Sequence, residues 1–169
     1  MNKNLDDCKK EILNDISRTI SFRLCSIGVD LGLFEDLSIN GPSSSEEIAF
    51  RKKYNERYIR EWLYGISKTG YIDFDRKTRK ASINDHYIEL FTTEGGKNSF
   101  KGFFKVINNM LLPYENLISS FKNGGGIKFE EYNSEFWKGL DLTGCSRYRS
   151  FLVPEWIDQV PEILSLIHI

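Results

Sequence analysis

The chain has 169 residues, with 23 Lys and Arg against 24 Asp and Glu, for a formal net charge of −1. With 40% hydrophobic and 28% charged residues it has the composition of a folded domain, not a disordered segment, and its near-neutral charge speaks against a protein that coats nucleic acid. Three widely spaced cysteines, Cys8, Cys25 and Cys145, form neither a disulfide framework nor a zinc pattern, and no run approaches the roughly 20 apolar residues of a bilayer-spanning helix.

The N-terminus mixes Asp6, Asp7, Glu11 and Asp15 with lysines and has no apolar core of a signal peptide. A cytoplasmic protein with buried free thiols is the expectation. Residues 5–37 have a helical pattern. Ile12, Ile16, Ile20 and Leu24 recur every fourth position, and Leu13 and Ile27 widen the stripe. Gly28 and Gly32 interrupt it, which predicts one long helix and a short second one near 29–38. Asn40-Gly41-Pro42 reads as a turn.

Two overlapping capping boxes follow, Ser43…Glu46 and Ser44…Glu47, so a short helix with Ile48 and Ala49 inward should start here. Asn55 is placed to cap another helix, with Glu56 in its first turn. There Ile59, Trp62, Leu63 and Ile66 share one apolar face, and Gly70 stands where a C′ glycine belongs. Tyr71–Asp75 and Lys80–Asn84 are two short alternating runs around the polar turn Arg76-Lys77-Thr78-Arg79, which reads as a β-hairpin. Helix, turn, helix, hairpin is a winged helix-turn-helix. The predicted fold is therefore mainly α with a small β-hairpin: a winged helix-turn-helix followed by a helical segment.

Residues 85–92 read as one short helix. From Asn98 to Phe121 the pattern is strongly helical, with Pro113 set to kink or split it. Gly124-Gly125-Gly126 is a hinge; neither a strand before it nor a phosphate-loop motif accompanies it. Short helices are expected at 133–141 and 143–153, then an irregular end around Pro154 and Pro161. The two histidines, His86 and His168, have no partner at metal-ligand spacing, and no Ser or Cys sits in a nucleophile elbow. Residues 43–92 hold ten basic and eight acidic side chains, a net of +2, which is weak for phosphate binding. The aromatics Phe129, Tyr132, Phe136, Trp137, Tyr148, Phe151 and Trp156 cluster late and read first as core or interface.

The block Asn55-Glu56-Arg57-Tyr58-Ile59-Arg60-Glu61-Trp62-Leu63, then Gly70-Tyr71-Ile72-Asp73-Phe74-Asp75, resembles the N-terminal region of winged-helix class I S-adenosylmethionine-dependent methyltransferases. Gly32–Leu37, Ser45–Ala49, Gly124–Ile127 with Phe129–Tyr132, and Phe151–Ile157 fit the same pattern. The signature rests on Arg57, Tyr58, Arg60, Glu61, Trp62, Leu63, Gly70 and Tyr71. The resemblance implies that the winged helix serves dimerisation and that the following helices form a lid over a small-molecule methyl acceptor. By its correspondence, Tyr132, Trp137, Arg147 and Tyr148 are the substrate-lining candidates. It divides the chain into 1–92, a winged-helix domain with an N-terminal dimerisation helix, 93–163, a lid or linker segment, and 164–169, an atypical tail. The family's glycine-rich cofactor loop has no counterpart after Ile163. The expectation is thus a chain cut short of its catalytic domain, with no catalytic, metal or cofactor-binding residue of its own, although the full-length family uses S-adenosylmethionine. Two other readings stand beside it: a winged-helix DNA-binding regulator, and a non-catalytic subunit that pairs with a full-length methyltransferase. A homodimer or heterodimer through the N-terminal helices is expected; a nucleic-acid or membrane partner is not.

Overall fold

The computed structural model describes residues 4–159. They divide into two compact units, one running to Ile88 and the other from Glu89. The tail at 164–169, Pro161 and His168 lie outside the described residues.

The first unit opens with α1 (Leu5–Asp30). Asn4 caps it: its side chain accepts the Asp7 N–H while Asp7 accepts the Asn4 N–H, a reciprocal box that satisfies two orphan donors. Gly28 does not interrupt this helix. It is buried inside the helix because a Cβ there would collide with the Trp62 ring and come 2.7 Å from Phe34. The break comes at Gly32, whose φ of +64° suits glycine, and α2 (Leu33–Asn40) follows.

Then come α3 (Ser45–Lys52) and α4 (Glu56–Ile66). Of the two predicted capping boxes only Ser44…Glu47 forms. Ser43 is drawn away because its backbone pairs with Ala81 in an isolated bridge, at 2.9 Å in both directions. Asn55 occupies the N-cap of α4 without a side-chain bond. Glu56 instead reaches back, accepting the Ser45 hydroxyl at 2.7 Å and pairing with Arg60 at 3.4 Å. The helix ends on Ser67, so Gly70 is not its C′ residue; with φ +81° it turns the chain into the wing. That wing is β1 (Ile72–Asp75) and β2 (Lys80–Ile83), antiparallel, with Ile72 opposite Ile83 and Phe74 opposite Ala81.

The core of this unit holds Leu33, Phe34, Leu37, Ile48, Ile59, Trp62, Leu63, Ile66 and Ile72. Trp62 joins its parts: the indole N–H donates to the Leu24 carbonyl at 2.8 Å, and the ring meets Phe34 edge-on at 5.2 Å. A second tie is polar. Asp36 is buried and takes the Arg51 guanidinium through two nitrogens, while Arg51 also donates to Ser43 at 2.9 Å. The bond to Asp36 holds the guanidinium above its ordinary pKa. Cys25 is buried and desolvation pushes its thiol up to about 12, so it is inert. Cys8 is exposed and Cys145 half-buried, which corrects the expectation of three buried thiols: Cys8 sits on a stretch of α1 with no buried residues.

The second unit begins within α5 (Asp85–Thr92). Pro113 splits the next helical run into α6 (Lys101–Met110) and α7 (Tyr114–Asn123), and serves as the N-cap residue of α7. The two helices expected over 133–153 are one, α8 (Ser134–Arg147), which runs on into a π-helical stretch, Tyr148–Trp156, so Pro154 lies in regular structure. Asn133 caps α8 through the Phe136 N–H. No turn-forming residue stands between 141 and 143 to divide the helix; Gly144 is tolerated within it.

Helices α6 and α8 touch backbone to backbone. A Cβ on Gly102 would overlap the Thr143 hydroxyl and come 2.8 Å from the Thr143 nitrogen, and one on Gly139 would come 2.7 Å from the Val106 nitrogen. The crossing is antiparallel: Lys105 pairs with Glu135 at 2.7 Å, and Asn133 donates to Asn109 at 2.8 Å.

Two glycine substitutions check these close approaches. Gly28→Ala and Gly139→Ala should each lower stability by about 1–3 kcal/mol, the cost of overpacking a site that cannot yield. Urea unfolding, followed by Trp fluorescence for Gly28→Ala and by helical circular dichroism for Gly139→Ala, measures both.

Candidate functional site

Three surfaces carry what the fold does not use. The first is α1. Its buried residues are confined to Cys25, Ser26, Gly28 and Val29. Upstream, Ile12 is 61%, Ile16 51% and Ile20 57% exposed, beside exposed Leu5 and Leu13. These positions share a face of the helix, so just over four turns present an apolar stripe to solvent. A helix draws most of its stability from tertiary packing, and β-branched Ile adds little intrinsic propensity.

The second surface is the outer side of α4 and the wing. Of the eight signature residues, Trp62 and Leu63 are core, Tyr71 is half-buried against Tyr87 at 4.8 Å, and Gly70 forms the turn. Burial raises the Tyr71 phenol. Arg57, Tyr58 and Glu61 face solvent, and Arg60 is tied to Glu56. Along the outward face Glu61 stands between Arg57 and Lys68, a mixed and not a basic stripe. A groove of about 560 Å³ opens between the end of α4 and the wing, lined by Tyr64, Lys68, Ile72, Phe74, Arg76 and Arg79 among others.

The third surface belongs to the second unit. Tyr132 stacks on Phe136 at 4.4 Å, and Trp137 lies 5.7 Å from Phe129, all at the start of α8. Arg147 and Tyr148 are at its other end: the Arg147 guanidinium lies 5.7 Å over Phe103, and Tyr148 meets Trp156 edge-on at 6.2 Å. Ten residues of helix separate Trp137 from Arg147, a rise of about 15 Å. The four residues therefore form two aromatic groups, one at each end of α8, and not one cluster. Helix α7 has no buried residue; Tyr114, Leu117 and Phe121 are exposed, Phe121 at 84%.

Among the described residues no group of three or more His, Cys, Asp and Glu stands close enough to hold a metal, and His86 is exposed at the start of α5. No described helix is long and apolar enough to cross a membrane. Sequence reasoning missed the Gly102–Gly139 crossing, the Asp36–Arg51–Ser43 tie and the α4–wing groove. Each joins residues far apart in the chain, and only the cluster of basic residues in the wing hinted at the groove.

Residues 20–93 match the family described as "Rv2258c-like winged HTH domain", and this stretch is a winged helix-turn-helix. Three solved structures share the fold. They are the mitomycin 7-O-methyltransferase MmcR (18% identity, 83% of this chain and 44% of that one, TM-score 0.61), the S-adenosylmethionine-dependent methyltransferase SibL in its apo form (16%, 86% and 47%, 0.60), and the N,N-8-amino-8-demethyl-D-riboflavin dimethyltransferase RosA from Streptomyces davawensis (14%, 89% and 48%, 0.61). The likeness is one of fold, and the chain spans less than half the length of each. No curated protein matches the sequence.

Glu135 gives a test of the α6–α8 crossing beside the first aromatic group. It accepts from Lys105 at 2.7 Å and from Lys138 at 2.6 Å, and these bonds, Lys105 foremost, hold its carboxyl down to about 2 from an ordinary 4.5. A depressed carboxylate contributes stability above its unfolded pKa and loses it as pH falls through the folded one. Thermal unfolding between pH 6 and pH 2 should show the native chain more stable than Glu135→Gln at the upper end, with the gap closing from about 4.5 towards 2.

Proposed function

We propose that this chain is the N-terminal dimerisation and substrate-lid region of an S-adenosylmethionine-dependent methyltransferase, a cytoplasmic protein not catalytic by itself. The observation that carries the reading is the open apolar stripe on α1, Ile12, Ile16 and Ile20, on a helix with no buried residue before Cys25. The shared fold with less than half of three methyltransferases supports it.

In this reading residues 1–92 are the associating domain and 93–163 the lid. The winged helix is used for protein contact and not for DNA, consistent with Glu61 lying between Arg57 and Lys68 and with Trp62 turned into the core. The two aromatic groups on α8, Tyr132 with Trp137 and Arg147 with Tyr148, would face a methyl acceptor from two ends of one helix. Methyl transfer requires donor and acceptor held in line in a closed site. Apolar side chains and a cation over a ring can orient an acceptor. S-adenosylmethionine would be held by a catalytic domain beyond the part of the fold seen here.

The occupant proposed for α1 is a second copy. Burying one Ile fully is worth about 1.5–3 kcal/mol, and each copy brings the same stripe, as a two-fold interface requires. Sedimentation velocity should show the chain as a dimer at micromolar concentration. Ile16→Glu should raise the dimer dissociation constant by about 100-fold or more, with helical content in the remainder of the chain unchanged. A chain monomeric at 100-fold higher concentration would contradict the reading.

A further inference from the structure

We propose that the groove between α4 and the wing is a binding site for a small planar aromatic anion, a carboxylate, sulfonate or phosphate ester. It lies wholly within the winged-helix unit, uses none of the residues assigned to the methyl acceptor, and does not depend on that assignment.

The groove has an apolar floor and a cationic rim. On the floor Tyr64 and Phe74 meet edge-on at 5.2 Å, next to buried Ile72. Tyr64 is 40% exposed, which leaves ring face for stacking. On the rim are Lys68, Arg76 and Arg79, all exposed and, among the described residues, in no ion pair. Asp73 is the one acidic residue of the lining, so the groove carries three positive charges against one negative.

The local structure keeps these cations available. Asp75, the nearest acid of the wing turn, is spent on the turn itself: it accepts the Lys77 N–H at 2.8 Å and the Thr78 hydroxyl at 2.7 Å. Those bonds, Thr78 first, hold its carboxyl below the ordinary range. Lys80 is paired with Glu47 on α3 at 2.9 Å, and Glu47 is thereby removed as a partner for the rim. Arg79 acts on Glu46 only through its field, the last and weakest influence on that carboxyl. The carbonyls at the end of α4 would repel an anion, but they are engaged: Ser67 donates to Tyr64 and Thr69 to Ile66, at 2.9 and 2.6 Å. Gly70 adds room, since a Cβ there would meet nothing within 4 Å.

Size and charge select the ligand. About 560 Å³ falls in the range of sites for small organic molecules, and a bare ion would leave the aromatic floor uncovered. Arginine forks match a carboxylate or phosphate bidentately. A nucleic-acid duplex fits worse, because Asp73 stands in the lining and Glu61 is exposed on α4, while phosphate neutralisation governs that affinity.

The test uses the chain with 2-naphthoate as probe and the neutral 2-naphthamide as control, by calorimetry and amide chemical-shift mapping. Expected is saturable one-to-one binding of naphthoate, with shifts centred on Tyr64, Lys68, Phe74 and Arg79, and naphthamide weaker by about tenfold. The double variant Arg76→Ala/Arg79→Gly should weaken naphthoate by about tenfold with unchanged thermal unfolding; glycine suits the backbone at 79, where φ is +58°. The proposal falls if naphthoate shows no saturation up to about 5 mM, if naphthamide binds equally well, or if the double variant binds as the native chain does. It also falls if a random DNA duplex binds with steep salt dependence and that binding, not the naphthoate binding, is lost in the double variant.

Discussion

The first unit depends on one close approach. Trp62 can lie against α1 only because residue 28 is glycine; any side chain there would occupy the ring's place. The contact sets α4 across the end of α1, with the indole N–H on the Leu24 carbonyl and Phe34 against the ring. Once α4 is placed, its apolar face of Ile59, Leu63 and Ile66 closes the core, and the wing follows from its end through Gly70. The buried Asp36–Arg51 pair then ties α2 to α3, with Ser43 attached to both Arg51 and the wing strand. A buried charge left without its partner costs far more than the pair contributes, so these residues specify an arrangement as much as they stabilise it.

The same constraint explains what is left over. Trp62 docks at the C-terminal end of α1, so the remaining five turns of that helix extend past the core with their isoleucines uncovered. In the second unit, Gly102 and Gly139 bring α6 and α8 backbone to backbone, and aromatic groups stand at the two ends of α8. Among its described residues buried apolar side chains are few, Phe91 and Phe136 among them. Among the described residues of both units large apolar side chains face outward, Ile12, Ile16 and Ile20 on α1 and Leu117 and Phe121 on α7.

The local parts of this fold were legible from the sequence. Ser44 with Glu47, the Ile59–Trp62–Leu63–Ile66 face, the hairpin around residues 76–79 and the break at Pro113 each rest on neighbours within a few residues, where capping chemistry and periodicity act. Elsewhere a distant contact decides the outcome. Gly28 reads as a helix breaker by propensity but is kept in the helix by Trp62. Ser43 looks like a cap but is claimed by Ala81 and Arg51. Asn55 gives up its cap bond in a region where Glu56 bonds to Ser45. The stripe on α1 was visible, while its exposure was not, since a pattern does not state which surface it meets. The candidate acceptor residues came from resemblance, which carries no distances, and the straight run of α8 sets Trp137 and Arg147 apart.

In the proposed dimer, residues 5–24 of α1 are stabilised by a second copy of the chain. Amide hydrogen exchange of that segment, measured across a hundredfold range of protein concentration, tests it most directly. In the dimer, protection should rise with concentration over residues 5–24 and stay constant over residues 25–30, which the Trp62 contact holds within the unit. Fast exchange over 5–24 that is independent of concentration, or equal protection along the whole helix in the most dilute sample, would contradict it.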